Sequence, residues 1–366
     1  MHATRRTGHR KNAIIASCGL LLAVTTAACS SGSDESSESL AAATGGKGSL
    51  DGKTITFAGF GGDLQKYQTS AWEEPFTTTT GATFANAENS GIAAIRTQVK
   101  TGNVKWDVVE DYAFNIAQDC GTLYEPLKGV ALDEIQADYV TNECGVPVVK
   151  FSNVLVYDPT KFGTAPTKVS DFFDTATFPG KRAIVNDPNS GVLELSLISS
   201  GVSADELYPL DLESATSIIK KESDSIEFSA SQAVSVQKIT SGNVDMAVMP
   251  NGRALAAVQE NPNLKVVWSE APTTWDNLAV VKGSKVGPAA LQWLGYVGTA
   301  KAQADLSTLF PYGIFSKDVT PTLTDEQRQF FPDDPSRSAD LLNLDQGYYE
   351  KNNADVTAAW TAATAG

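Results

Sequence analysis

Two widely separated stretches of this chain run through the same succession of local structures. Residues 91–99 place Ile92, Ile95 and Val99 on one helical face, stop at Gly102 and lead into an apolar strand at 106–109. Gln232–Thr240 does the same with Val236 and Ile239, stops at Gly242 and leads into a strand at 244–249. The joining turns, Thr101-Gly102-Asn103-Val104 and Ser241-Gly242-Asn243-Val244, are nearly the same. The preceding unit is echoed too. A strand at 53–58 breaks at Gly59-Phe60-Gly61-Gly62-Asp63 before a helix at 64–76. Arg182–Val185 likewise breaks at 186–190 before a helix at Val192–Ser199. A turn of this composition is common alone, but two different units recurring in one order predict an α/β fold of two similar lobes. Each lobe is expected to be a mostly parallel sheet flanked by helices.

Between and after the repeats the sequence supplies the joints. Val146–Tyr157 is a long β-rich run, and residues 264–268 and 278–281 read as strands around Thr274-Trp275-Asp276. These give the two chain crossings that a hinged pair of lobes requires. Residues 289–310 read as helical and Pro311-Tyr312-Gly313 turns the chain. Residues 341–363 read as a closing helical segment in which Tyr348, Tyr349 and Trp360 pack. The expected division is 50–151 with 276–320 for the first lobe, and 152–275 with 321–366 for the second.

In open α/β sheets ligands gather beyond the carboxyl ends of the strands, where helix N-termini also point. Facing lobes would bring Phe60, Asp63, Glu110, Asp111, Tyr112, Asp187, Ser190 and Asn251 to one cleft. Asp187 and Ser190 are equally good caps for the helix at Val192.

The first 28 residues have a separate purpose. Arg5, Arg6, Arg10 and Lys11 precede a short uncharged apolar run that ends in Thr26-Ala27-Ala28-Cys29-Ser30, the pattern of an export signal. The run is shorter than the roughly twenty residues that span a bilayer. Small residues before a cysteine and a Ser-rich tract resemble the lipobox of bacterial lipoproteins, although Thr26 replaces the usual aliphatic residue. That likeness implies cleavage before Cys29, which then carries lipid; ordinary cleavage with release is the alternative. Residues 29–49 read as a disordered linker with a reach of about 25 Å. No later apolar run is long enough to cross a membrane. Loss of the signal removes four basic and no acidic residues, moving the net charge from −15 to −19. Such a surface repels nucleic acid and anionic lipid.

Cysteine and histidine usage narrows the chemistry. Once Cys18 and Cys29 are set aside, Cys120 and Cys144 remain, and outside the cytoplasm they are expected to pair. Closing that loop would contribute about 3 kcal/mol. The only histidines, His2 and His9, leave with the signal. No Ser-His-Asp relay and no imidazole-bound zinc is then available. Gly52-Lys53-Thr54 lacks the upstream glycine of a phosphate loop, since position 47 is Lys, and it precedes its strand. Ser217-Ile218-Ile219-Lys220 and Lys100-Thr101-Gly102 match penicillin-recognising signatures in reversed order without their Ser-Asp-Asn element. No catalytic residue, cofactor or metal is expected.

Several segments taken in order carry a resemblance. They are Gly61-Gly62, Trp72-Glu73-Glu74-Pro75-Phe76, Trp106-Asp107-Val108-Val109, Phe178-Pro179-Gly180-Lys181-Arg182, Leu193-Glu194, Leu207-Tyr208-Pro209-Leu210-Asp211, Asn251-Gly252-Arg253 and Pro311-Tyr312-Gly313. Together they resemble solute-binding proteins of ABC importers, the spermidine/putrescine-binding group above all. The resemblance implies a hinged, type II periplasmic-binding-protein-like fold that closes on a solute and docks on a membrane permease. It also implies a monomer outside the cytoplasm, held to the membrane by lipid alone. In that family an acid before Leu-Ala-Val holds an ammonium group, and Asp276 matches it. Glu194 matches the second lobe's contribution, Tyr312 matches an aromatic wall, and Cys120 and Cys144 match a cysteine pair of some members. Polyamine binders place aromatic residues where this chain has Pro250 and Thr274, and Trp275 must face the other side of its strand. The expected solute is small and cationic, such as a polyamine, with other small solutes as alternatives. A histidine-free envelope hydrolase and a sensor or adhesive lipoprotein are the competing classes.

Overall fold

The computed structural model describes residues 45–337 and 341–364. The export signal at 1–28, Cys29 and the linker to residue 44 lie outside the described residues, and 45–49 form turns leading to the buried Leu50. Among the described residues ten strands form one mixed sheet. They are β1 (Thr54–Gly59), β2 (Thr83–Glu88), β3 (Val108–Tyr112), β4 (Val146–Tyr157), β5 (Arg182–Val185), β6 (Ile226–Ser229), β7 (Met246–Pro250), β8 (Lys265–Val267), β9 (Ala271–Val280) and β10 (Leu341–Asn343). The order is β2-β1-β3-β9-β4-β7-β5-β6, with β10 on β9 and β8 on β4.

Read inward from either end, that order repeats. β1 pairs in parallel with β2 and β3, and β5 pairs in parallel with β6 and β7. An antiparallel strand then joins each trio, β9 beside β3 and β4 beside β7. β4 and β9 pair with each other in the middle and carry the chain between two similar α/β lobes. This is the two-lobed type II architecture that the sequence predicts.

Helices cover the sheet: α1 (Gly62–Gln68), α2 (Glu74–Thr80), α3 (Ile92–Thr101), α4 (Ala113–Gln118), α5 (Val192–Ser199), α6 (Leu212–Lys221), α7 (Gln232–Thr240), α8 (Asn251–Glu260), α9 (Gly287–Val297), α10 (Ala300–Leu309), α11 (Asp325–Arg328) and α12 (Gln346–Thr364). In α5, Val192, Leu193, Leu195, Leu197 and Ile198 are all buried, so it is an interior helix. One core gathers Phe57, Trp72, Phe76, Trp293 and Tyr296, and a second gathers Val156, Phe172, Ile184, Leu195 and Val248. A smaller cluster around Ala58, Ile95, Val109 and Tyr124 includes Cys144, which is disulfide-bonded to Cys120. No helix among the described residues is long and apolar enough to cross a membrane.

Several expectations change. β2 and β6 are strands that the sequence reading passed over; both lie at the outer edges of the sheet, β2 with no buried residue to give it a pattern and β6 only four residues long. Leu341–Asn343 is strand, not helix, because it lies in parallel against Ala271–Thr273 of β9. β9 runs unbroken through Thr274-Trp275-Asp276. The helix expected at 64–76 is α1 and α2 joined by a π-helical turn, Thr69–Glu73. The helical run at 289–310 divides at Thr299, whose hydroxyl caps α10 by accepting from the Ala302 N–H.

Candidate functional site

The carboxyl ends of β3, β5 and β7 and the middle of β4 and β9 meet at a cavity of about 340 Å³ between the lobes. β9 contributes Asp276 to its wall. β9 sets Asp276 opposite Tyr112 of β3 and opposite Val149 of β4, and all three line the cavity. Asp276 is 3% exposed. Among the described residues no N–H or O–H donates to its carboxylate, and its buried Oδ1 is left unpartnered. An acceptor stranded in this way costs free energy until something donates to it. Burial, then the nearby Glu110, Asp111 and Asp187 carboxyls, holds Asp276 well above the usual carboxylate range.

Aromatic rings flank this acid. Phe151 of β4 lies 6.2 Å from the Tyr112 ring and 6.4 Å from the Tyr312 ring, centroid to centroid. Phe151 is the register partner of Thr274. A ring from the neighbouring strand thus stands beside the Thr274 position. Trp275 faces the back of the sheet, packed on Tyr139 and Phe315. Lys150, between Val149 and Phe151, also points backward and pairs with Asp333 at 2.6 Å.

The second lobe brings a cation. Arg253 in the first turn of α8 lines the cavity, and its Nη2 donates to the Gly61 carbonyl across the cleft at 3.3 Å. Two glycines make that placement possible. Gly252 lets α8 abut the aromatic pair Phe310 and Tyr312; a Cβ there would lie 2.5 Å from Phe310. Gly62 has φ +62°, and a Cβ on it would meet Arg253 at 3.0 Å. The start of α7 adds Ser231 and Gln232 to the wall, and the Gln232 Oε1 has no partner.

Of the residues expected at the site, Phe60, Tyr112, Asp187, Asp276 and Tyr312 line the cavity together. The others lie off its wall, each for a visible reason. Asp63 is exposed in the first turn of α1. Glu110 is fully buried behind the site, where both its oxygens accept from Gln68 Nε2 at 3.0 Å. Burial pushes its pKa up to about 7, against the lowering effect of Gln68. Asp111 accepts from Asn115 at 2.9 Å, and burial pushes it up to about 6. Ser190 turns its hydroxyl onto the Asp187 carbonyl. Glu194 lies in the second core, where Tyr208 and Tyr349 both donate to its Oε1, at 2.7 and 2.8 Å. Asn251 is a tie: it accepts from the Ser152 N–H and donates to the Pro311 and Phe330 carbonyls.

Asp187 does not cap the helix at Val192, whose N-cap is Gly191 with no side-chain cap. Asp187 instead caps the turn Pro188–Ser190 by accepting from the Asn189 N–H, and it lines the cavity while accepting from the Tyr112 hydroxyl at 2.8 Å. Phe151, Arg253 and the 230–233 segment are cavity residues that sequence reasoning missed. An arginine three residues past a strand end, in so acidic a chain, was the available signal. Among the described residues no group of His, Cys, Asp and Glu could hold a metal ion.

Comparison with known proteins agrees with this geometry. The family model described as bacterial extracellular solute-binding protein matches residues 71–339. The γ-aminobutyric acid-binding protein of Pseudomonas aeruginosa is 28% identical over 323 residues, covering 85% of this chain and 91% of that protein. The solved Atu4243–GABA receptor superposes with a TM-score of 0.76 at 28% identity, over 85% of this chain and 97% of that one. The spermidine/putrescine-binding protein of Streptococcus pneumoniae shares the fold more remotely, with a TM-score of 0.61 at 19% identity over 85% and 99% of the two chains. With the match extending over most of its length, this chain belongs to the bacterial extracellular solute-binding protein family.

Proposed function

We propose that the chain is the solute-capturing component of an ABC importer and that its solute is a small ω-amino acid of the γ-aminobutyrate type. One observation carries the reading: a buried carboxylate with no donor, Asp276, and a guanidinium, Arg253, line the same small cavity. An ammonium held by Asp276 among the Tyr112, Phe151 and Tyr312 rings gains both ion pairing and cation–π attraction. A carboxylate at the far end then finds Arg253, whose planar fork suits it. A diamine would set its second ammonium against that guanidinium, so the polyamine expectation gives way to a zwitterion. The relatives named for γ-aminobutyrate support the same choice. A cavity of about 340 Å³ is at the small end of ligand sites and suits a short chain.

Family membership and the leader support the remaining roles of this reading. The chain delivers its solute to a membrane permease, works as a monomer, and is held at the membrane by lipid on Cys29. Lobe 1 comprises 50–151 with 276–320, and lobe 2 comprises 152–275 with 321–366. Radioactive palmitate incorporated by the parent and not by Cys29→Ser would verify the anchor.

Calorimetry with γ-aminobutyrate, butyrate and putrescine tests the solute. Each competitor lacks one of the two complementary charges, so γ-aminobutyrate is expected to bind at least about tenfold more tightly than either, the equivalent of one modest polar interaction. Tighter binding of putrescine would restore the polyamine reading.

A further inference from the structure

Asp187 differs from Asp276 in one respect that changes its role: both of its oxygens are already engaged. Oδ1 accepts from the Asn189 N–H at 2.9 Å and Oδ2 accepts from the Tyr112 hydroxyl at 2.8 Å. The two residues belong to opposite sides of the cleft. Tyr112 ends β3, which pairs with β1 and β9, and Asp187 follows β5, which pairs with β6 and β7. The Tyr112 ring is held in place by stacking on Phe114, at 5.1 Å and 12° between planes. Phe114 in turn stacks on Tyr349 of α12 at 4.9 Å within the second core, so the Tyr112 ring is held where the two lobes meet.

We propose that Tyr112 and Asp187 form a clasp between the lobes, and that the solute's cation gates it. Asp187 is thereby a positioning residue, not a solute contact. The gating follows from the charges that the clasp brings together. Asp276, Glu110 and Asp111 come from the first lobe, and closure adds Asp187. Asp187 meets the Tyr112 hydroxyl and the Asn189 N–H directly, its charge acts on both Asp276 and Asp111, and Glu88 and Arg253 line the same cavity. Burial raises the Asp187 pKa, and Asp187 in turn raises that of Asp276. In an empty cleft, closure sets two carboxylates against each other in a medium that screens them poorly. An ammonium on Asp276 removes that opposition, and the clasp shuts over it.

The gating half rests on the ammonium-at-Asp276 reading above, whereas the clasp itself does not. Two variants of the full chain separate them. Tyr112→Phe keeps the ring and deletes the hydroxyl. In stopped-flow mixing with γ-aminobutyrate, its dissociation rate is expected to rise about tenfold, the scale of one hydrogen bond to a charged group. Its association rate should move less than twofold, and its preference for γ-aminobutyrate over δ-aminovalerate should be retained. Asp187→Asn keeps an acceptor for the Asn189 N–H and a donor for the Tyr112 oxygen but removes the charge. Without solute, its radius of gyration in small-angle X-ray scattering should fall toward the value that the parent reaches only with solute.

An unchanged dissociation rate in Tyr112→Phe would overturn the clasp, and so would altered chain-length preference, which would make the hydroxyl a solute contact. A solute-free Asp187→Asn protein as open as the parent would overturn the gate. If the parent does not bind γ-aminobutyrate, the solute reading falls. Solute-free scattering then decides clasp and gate alone: Asp187→Asn is expected to close, and the double variant Tyr112→Phe/Asp187→Asn, which lacks the hydroxyl, to open again; a double variant as compact as Asp187→Asn would overturn the clasp.

Discussion

β3 and β7 hold the same place in the two lobes, each entered from the same glycine-centred turn and each flanked by a parallel and an antiparallel neighbour. Their carboxyl ends differ. β3 ends in Glu110-Asp111-Tyr112 beside Asp276, whereas β7 ends in Pro250 and hands over to Asn251-Gly252-Arg253. One backbone plan has been given opposite charge on its two copies. On the proposed reading, a cleft built from such halves takes a solute that is itself dipolar and orients it end for end. Ligand class is written in the strand ends and not in the fold, which the chain shares with binders of quite different solutes.

The comparison breaks most visibly if the acidic half is removed. Asp276→Ala would leave a solute ammonium buried without its counter-charge, at a cost of about 3–5 kcal/mol. Calorimetry should then show affinity for γ-aminobutyrate falling roughly 100- to 1000-fold; a loss below about tenfold would place the ammonium elsewhere. A second test reads the acidic half through stability. Burial raises the Glu110 pKa from 4.5 to about 7. Between those values the folded chain keeps a proton that the unfolded chain has lost, so stability falls as pH rises through that window. Glu110→Gln removes this slope and supplies an amide N–H that the unpartnered Gln68 Oε1 can accept. It should melt higher than the parent at pH 8, by up to roughly 3 kcal/mol, and no higher at pH 4. Equal pH slopes for the two proteins would show that Glu110 is charged in the fold.

The basic half gives a smaller and more selective effect. Arg253→Gln should weaken γ-aminobutyrate binding by about 2 kcal/mol, or roughly 30-fold, the worth of a hydrogen bond to a charged group. Putrescine, which lacks a carboxylate, should bind the variant at least as well as the parent. Parallel losses for both solutes would mean that Arg253 acts through its contact with the Gly61 carbonyl and not on the solute.

The architecture was legible because it is local and repeated. Helical spacing, the paired glycine turns and the apolar run of β4 point to two α/β units and a crossing, whereas Asp276, read as lying between two strands, stood out only through the family resemblance. What stayed hidden depends on partners remote in sequence. Glu194 and Asn251 look like site residues until Tyr349 and the Pro311 and Phe330 carbonyls, 155, 60 and 79 positions away, satisfy them. Phe151 was unreadable for the opposite reason. In a strand buried along its whole length, no periodicity distinguishes a ring facing the cleft from one facing the core. Arg253 stands in Asn251-Gly252-Arg253 with no role legible in the sequence, because a single cation gains meaning only beside the acid with which it shares a cavity.

The smallest effect lies at the mouth of the cavity. Phe60 lines the cavity from the first lobe, on the loop between β1 and α1, yet is 39% exposed and carries no charge. A ring so placed covers the bound solute without pairing with it, and only part of its area leaves water on closure. Phe60→Ala should therefore weaken binding by about 0.5–1 kcal/mol, a two- to fivefold change. The loss should fall on γ-aminobutyrate and δ-aminovalerate alike, because a mouth residue senses occupancy more than charge. If instead it changed their ranking, Phe60 would be gauging chain length, and selectivity would not reside in the two charged halves alone.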